Sequence, residues 1–176
     1  GFRDVLHIGR HRKPHSFSLQ QTIPWQENPV VKRRHRKEVT ERIYPPGDVV
    51  TPLDEDEVLD RTAELVDAGV ESIAVCYLHS YLDPTHEART RELIAAAYPD
   101  VRVSTSHEVV SQFREFERFT TTAINARLEP VMATYLTRLQ ERLAEAGCDA
   151  EVLIMQSNGG MASVRNVARR PVTTLV

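Results

Sequence analysis

The stretch Ser72-Ile73-Ala74-Val75-Cys76-Tyr77-Leu78 is a continuous apolar run set between two helical patterns. A strand of that kind has no polar face to show to water, so it is expected in a parallel sheet covered on both sides. The order helix, strand, helix, strand around it gives an α/β architecture. The run ends in His79-Ser80-Tyr81. A second apolar run, Val152-Leu153-Ile154, ends in Met155-Gln156-Ser157-Asn158-Gly159-Gly160. Ligands of open α/β sheets bind beyond the carboxyl ends of the strands, and paired glycines let the backbone come close or take φ above zero. A Gly-Gly after a strand is more commonly a plain turn. Two polar strand ends together nevertheless read as a cleft, whose candidate residues are Ser157, Asn158, Gly159, Gly160 and His79.

The remaining pattern fills in the architecture. Val5-Leu6-His7-Ile8 reads as a short helix or strand, followed by a polar stretch from Arg10 to Pro29 with prolines at 14, 24 and 29. Residues 37–43 alternate as a half-buried strand, and Pro45-Pro46-Gly47-Asp48 makes a turn. A helix is expected after Asp54, an N-cap with Glu57 three residues on. Its face is Val58, Leu59, Thr62, Leu65 and Val66, with Gly69 as the stop. Asp83-Pro84 starts the next helix, running to about Tyr98 and burying Ala88, Leu93, Ile94 and Ala97. Residues 101–105 alternate as a strand. From 111 to 146 one long helix carries a stripe of Ile124, Leu128, Val131, Tyr135, Leu139 and Leu143. Pro130 should kink or break it near Arg127. A strand over 151–156 and a short helix over 163–169 complete the chain.

Composition narrows the function. A chain of 176 residues with 41% hydrophobic and 27% charged residues can bury a core and is no disordered tail. A formal net charge of −3 gives no general pull toward nucleic acid or an anionic membrane. No run reaches bilayer-spanning length, and the N-terminus shows no signal-peptide pattern. Cys76 and Cys148 form neither a CxxC pair nor a disulfide framework, which favours a reducing cytoplasm. The basic run Lys32-Arg33-Arg34-His35-Arg36-Lys37 could grip phosphate, but no aromatic residue interleaves it. A solvated strand edge is the simpler expectation.

Three other groups could carry chemistry. His79, Asp83 and His86, with Glu87 next in the chain, are suitable ligands for a divalent metal. Against that, Asp83 serves as a helix cap and Glu87 suits a helix N-terminus. Arg114-Glu115-Phe116-Glu117-Arg118 could orient a ligand, but its spacing favours surface ion pairs. Ser157 lacks the G-x-S-x-G elbow of a hydrolase nucleophile.

Several stretches in order resemble one family: Gly1-Phe2-Arg3-Asp4, Glu41-Arg42-Ile43, His79-Ser80-Tyr81 with Pro84 and His86-Glu87, Arg114 to Arg118, Asn125-Ala126, and Gln156 to Gly160. They look like the hydantoinase A / 5-oxoprolinase family across essentially the whole chain. The resemblance implies part of an actin-like (sugar-kinase/Hsp70-like) ATPase fold, ATP with Mg²⁺, a small cyclic amide as substrate, and a second subunit of hydantoinase B type. The alternative it leaves open is a subunit of an ATP-dependent acetone or acetophenone carboxylase; a non-catalytic scaffold is the reading from another class. The family's Gly-rich phosphate loop and its Ser-Gly-Pro-Ala segment are not in these residues. The chain therefore reads as an internal slice, with 1–110 the end of the first lobe and 111–176 the linking helix and start of the second. Apolar faces left uncovered in such a slice would favour self-association. ATP is not expected to bind it tightly. The 176 residues alone are predicted to release no phosphate from ATP, and turnover above a buffer blank would overturn that.

Overall fold

The computed structural model describes residues 2–9 and 16–175. Residues 10–15, part of the expected polar stretch, and Gly1 and Val176 lie outside the described residues. Helix α1, Val5–Ile8, settles the first alternative as one helical turn, and α2 is Pro24–Glu27. Strands β1, Arg42–Tyr44, and β2, Asp48–Thr51, form an antiparallel hairpin across the expected Pro-Pro-Gly turn. Then come α3, Glu55–Asp67, β3, Ser72–Val75, α4, Thr85–Ala97, β4, Arg102–Thr105, and the short α5, Ser106–Val109. Helix α6 spans Glu115–Glu145. A second hairpin of β5, Leu153–Met155, and β6, Met161–Ser163, leads into α7, Val164–Arg169, and a 3-10 turn over Pro171–Thr174.

Strands β3 and β4 pair in parallel, with Ser72 opposite Arg102 and Val75 opposite Thr105. One face of this pair is apolar: Ile73, Val75 and Val103 pack with Val58 and Leu65 of α3 and Ile94 of α4. Helix α3 begins as its sequence requires, since the Asp54 carboxylate accepts the Glu57 N–H at 2.9 Å. The reciprocal half of the box is diverted, because Glu57 accepts the Thr40 N–H at 2.7 Å while Thr40 C=O takes the Asp54 N–H at 3.0 Å. That diversion corrects the strand expected over 37–43. With both polar backbone groups of Thr40 tied to the start of α3, ladder pairing begins only at Arg42.

The opposite face of the pair is built from small residues. Ser104 Oγ donates to Glu129 at 2.8 Å and accepts from Asn125 Nδ2 at 3.0 Å, both partners on α6. Small side chains let a helix backbone come close, so the buried residues of α6 are Arg118, Phe119, Thr122, Ala123, Asn125, Ala126 and Leu136. This overturns the expected stripe: Val131 is 67% and Tyr135 56% exposed. A similar correction applies to α4, whose buried face is His86, Glu87, Thr90 and Ile94, while Ala97 is exposed. On α6 the small, hydroxyl-bearing sheet face favours small or hydrogen-bonding residues, whereas α4 joins the apolar cluster only through Ile94 and meets hydrogen-bonding partners at His86, Glu87 and Thr90.

Pro130 does not break α6, which runs on to Glu145. Lacking an N–H, the proline leaves the carbonyl one turn earlier without its helical donor. That carbonyl belongs to Ala126, and Ser72 Oγ donates to it at 2.6 Å. The first residue of β3 thus fills the vacancy that the proline makes.

Two further expectations are corrected. The strand over 151–156 is antiparallel to β6 rather than part of the parallel pair. The basic run is a 3-10 turn over Arg33–His35 rather than a strand edge. Three of its charges find acidic partners, with Arg33 and Arg36 reaching Asp4 at 3.2 and 3.1 Å and Lys37 pairing with Glu64, while Arg34 donates to the His35 ring at 3.0 Å. No helix among the described residues is long and apolar enough to cross a membrane.

Replacing Ser72 by alanine should cost about 1–2 kcal/mol by orphaning the Ala126 carbonyl. In a Pro130→Ala background, where the helix regains its donor, the same change should cost about half as much or less. Denaturant unfolding of the four proteins of this cycle measures the coupling; equal costs in both backgrounds would refute it.

Candidate functional site

The carboxyl ends of β3 and β4 meet around one carboxylate. Glu87, on the first turn of α4, is fully buried. Its Oε1 accepts the Tyr77 N–H at 2.9 Å and the Ser106 hydroxyl at 2.7 Å; its Oε2 accepts the His107 N–H and His107 Nδ1, each at 2.9 Å. Ser80 Oγ lies 3.0 Å from Ser106 Oγ, so with Ser106 donating to Glu87, Ser80 donates to Ser106. A carboxylate is acceptor-only and can take about four donors, which is the number supplied here. The chain leaving β3 and the chain leaving β4 are thereby locked to each other. Tyr77, past the end of β3, is held at every polar atom, since its hydroxyl meets Thr90 Oγ1 at 3.0 Å. This capture by side chains also explains why β3 stops at Val75 rather than at residue 78.

The third hold on Tyr77 comes from Arg118. Its Nη2 donates to Tyr77 C=O at 2.7 Å and its Nη1 to Gln112 C=O at 2.8 Å. Its guanidinium lies 5.3 Å from the Tyr81 ring centroid and 5.4 Å from that of Phe119. Arg118 is 1% exposed, and burial pulls its pKa below the ordinary guanidinium value. The expectation of surface ion pairs from Arg114 to Arg118 is therefore wrong for Arg118, whose polar partners are backbone carbonyls rather than the neighbouring glutamates. Among the described residues, the two non-glycine residues with positive φ, His79 at 60° and Arg114 at 75°, each stand two residues beyond a carbonyl that Arg118 holds.

His79 is the sequence candidate that the structure places at this strand end. Its carbonyl accepts the Leu82 N–H at 2.8 Å, and its ring sits 6.3 Å from Tyr44 and 6.0 Å from Tyr81 between centroids. The three residues weighed as metal ligands are used separately. Asp83 accepts the Thr85 N–H at 2.9 Å, and the Thr85 hydrogen bonds hold its carboxyl below the ordinary range. His86 Nδ1 meets Glu41 Oε2 at 2.9 Å. Among the described residues no group of three or more His, Cys, Asp or Glu is arranged to hold a metal ion.

Ser157, Asn158, Gly159 and Gly160 form the turn between β5 and β6 and are exposed. Gly159 has φ +83°, the left-handed conformation that favours glycine, and Asn158 Oδ1 accepts the Gly160 N–H at 2.9 Å. Ser157 donates both its N–H and its hydroxyl to Thr173 C=O at 2.9 Å, tying the turn to the last 3-10 turn. A cavity of about 610 Å³ opens between the basic segment and β3, and a smaller one of about 250 Å³ lies among α4, α5, α6 and α7. Neither His79 nor residues 157–160 line either cavity.

Sequence reasoning missed the parts played by Glu87, Ser106, His107 and Arg118. A usable signal existed for two of them: Glu87 falls three and seven residues before the buried Thr90 and Ile94, and Arg118 four and seven before the buried Thr122 and Asn125.

Residues 1–98 match the profile described as the hydantoinase/oxoprolinase N-terminal region, and residues 118–176 match the one described as hydantoinase/oxoprolinase. An uncharacterised protein of Methanocaldococcus jannaschii is 39% identical over 97% of this chain and 25% of its own length. The caprolactamase subunit alpha of Pseudomonas jessenii is 34% identical over 92% of this chain and 23% of its own. The acetophenone carboxylase gamma subunit of Aromatoleum aromaticum is 35% identical over 93% and 24%. The crystal structure of the ATP-dependent caprolactamase from Pseudomonas jessenii superposes on 98% of this chain, and 26% of that one, with a TM-score of 0.82 at 31% identity. This chain thus spans about a quarter of the length of these relatives. The fold class expected from sequence, α/β as part of an actin-like ATPase fold, holds.

Glu87→Gln should destabilise the chain by about 3 kcal/mol, because an amide has one acceptor oxygen for the donors that a carboxylate takes; an unfolding midpoint equal to wild type would contradict this. A second outcome concerns the thiols. Burial pushes the Cys76 thiol well above its ordinary pKa, whereas Cys148 is exposed. Iodoacetamide at mildly alkaline pH should modify Cys148 and spare Cys76 until denaturant is added, as peptide mass mapping will read.

Proposed function

Since this chain belongs to the hydantoinase/oxoprolinase family, we propose that the protein carrying it opens small cyclic amides at the expense of ATP. The observation that carries this reading is the superposition with the ATP-dependent caprolactamase over nearly the whole chain. Amide resonance makes such a ring a poor electrophile, which is why ring opening is coupled to a nucleotide: a phosphorylated amide oxygen is a leaving group. The same reading gives Ser157, Asn158, Gly159, Gly160 and His79 the role of contacts facing the shared cleft. A second subunit, of hydantoinase B type, is part of the proposal. Its support is that similar proteins are named as alpha, gamma and beta subunits.

The residues described here do not themselves fit the ATP and Mg²⁺ that the family implies. Glu41 and Glu87 take their hydrogen bonds from protein donors, and Asp83 caps α4. What these residues contribute is a rigid strand-end platform, with Glu87 and Arg118 as positioning residues behind the His79 loop.

A carboxylase of ketones is the second reading, favoured by the 35% identity to the acetophenone carboxylase gamma subunit. One assay separates them. The intact protein, co-expressed with its partner subunit, should release phosphate from ATP in the presence of hydantoin, 5-oxoproline or caprolactam. Release dependent instead on acetone or acetophenone with bicarbonate would overturn the hydrolase reading.

A further inference from the structure

Around His79 the structure spends stability on a conformation that packing alone does not explain. A non-glycine residue with φ near +60° is uncommon, and it persists only where its surroundings fix it. Those surroundings are unusually complete. Tyr77, two residues earlier, is held at N–H by Glu87 and at C=O by Arg118; Ser80, the next residue, is 1% exposed and bonded to Ser106. What this rigid frame presents is the imidazole of His79 between the rings of Tyr44 and Tyr81.

The ring arrangement has two further properties. The His79 ring meets Tyr44 at 71° and Tyr81 at 59°, so neither pair is stacked face to face. His79 Nδ1 is shut away from solvent without a hydrogen-bond partner, so a hydrogen bond from this ring to a ligand falls to Nε2. Tyr44, at the tip of the first hairpin, is 61% exposed and contributes from a separate segment. None of these three side chains carries a carboxylate or an ammonium, so the ligand they suit is uncharged where it touches them. A flat, neutral ring with one polar edge fits: its face against a tyrosine, its edge toward Nε2.

We propose that Tyr44, His79 and Tyr81 form the subsite that holds the planar ring of the cyclic amide, with His79 Nε2 hydrogen-bonded to the amide edge. This rests on the amide-hydrolase reading, and it names the part of the substrate these residues touch. Tyr44 and Tyr81 then set which ring sizes and substituents are accepted. Arg118 holds the loop and touches no ligand, which makes it a positioning residue.

Saturation-transfer NMR on the intact protein, with hydantoin as the probe, tests the subsite independently of turnover. His79→Asn keeps a residue that tolerates the left-handed backbone and removes the imidazole; Tyr44→Ala alters only an exposed hairpin tip. Each should weaken hydantoin binding about fivefold to tenfold, the loss of one directional or stacking contact, with an unchanged unfolding midpoint. In the amide-dependent phosphate-release assay, both variants should raise KM for the amide and leave KM for ATP within about twofold. Hydantoin binding equal to wild type in both variants overturns the subsite, as does failure of hydantoin to bind the wild-type protein. If the protein instead consumes ATP with a ketone and bicarbonate, the hydrolase reading falls on its own assay, and the binding measurement still decides the subsite.

Discussion

The interaction on which the rest of this structure depends is the convergence of Glu87 with the backbone of both strand ends. A parallel pair leaves its two carboxyl ends side by side with their next N–H groups unpaired, and the chain must either expose those groups or satisfy them. Here one acidic side chain satisfies Tyr77 and His107 together. The cost of burying a charge is offset by four short hydrogen bonds, two of them from backbone. Arg118 works the same region from the other side, trading its exposure for two carbonyls and two aromatic faces. Neither ion makes a salt bridge with the other; each neutralises backbone dipoles instead. The strand-end loops inherit their rigidity from this pairing of opposite charges with opposite ends of the peptide group.

How much of this was legible depended on which physical signal each element uses. The α/β order, the Asp54 cap, the Pro-Pro-Gly turn and the start of α4 are local, because they are decided by backbone groups within a few residues. The family resemblance was legible too, through short motifs in order. The faces of α4 and α6 were not, because a periodicity of large apolar side chains does not mark positions that face serines, as on α6, or that carry buried hydrogen bonds, as at His86, Glu87 and Thr90 of α4. The second strand-end loop departs from expectation for a related reason. Val152-Leu153-Ile154 is apolar enough for a buried parallel strand, but in the fold it belongs to a two-strand antiparallel hairpin whose turn is the Gly-Gly. An apolar run fixes neither the direction nor the number of its neighbours.

The candidate site shows the same division. His79 stood out by chemistry and by its place after a strand, and its backbone takes the left-handed conformation, as does that of Arg114. Glu87 and Arg118 stand where a helix end and i, i+4 spacing ordinarily account for a charged residue. What no spacing could reveal is that they meet one tyrosine, Tyr77, from opposite sides. The carboxylate and the guanidinium are forty-one residues or fewer from that tyrosine in sequence, yet only the fold places them at its N–H and its C=O.

Pro130 has a consequence for how the long helix finds its seat. A helix of ordinary residues presents the sheet with a uniform rod that can slide by one turn at little chemical cost. By leaving a single carbonyl hungry, the imino acid marks one level along α6, and the hydroxyl of Ser72 reads that mark. The Ser72 hydroxyl and the Ala126 carbonyl lie fifty-four residues apart in the chain, so this vernier sets the axial position of α6 against the sheet through one atom on each side.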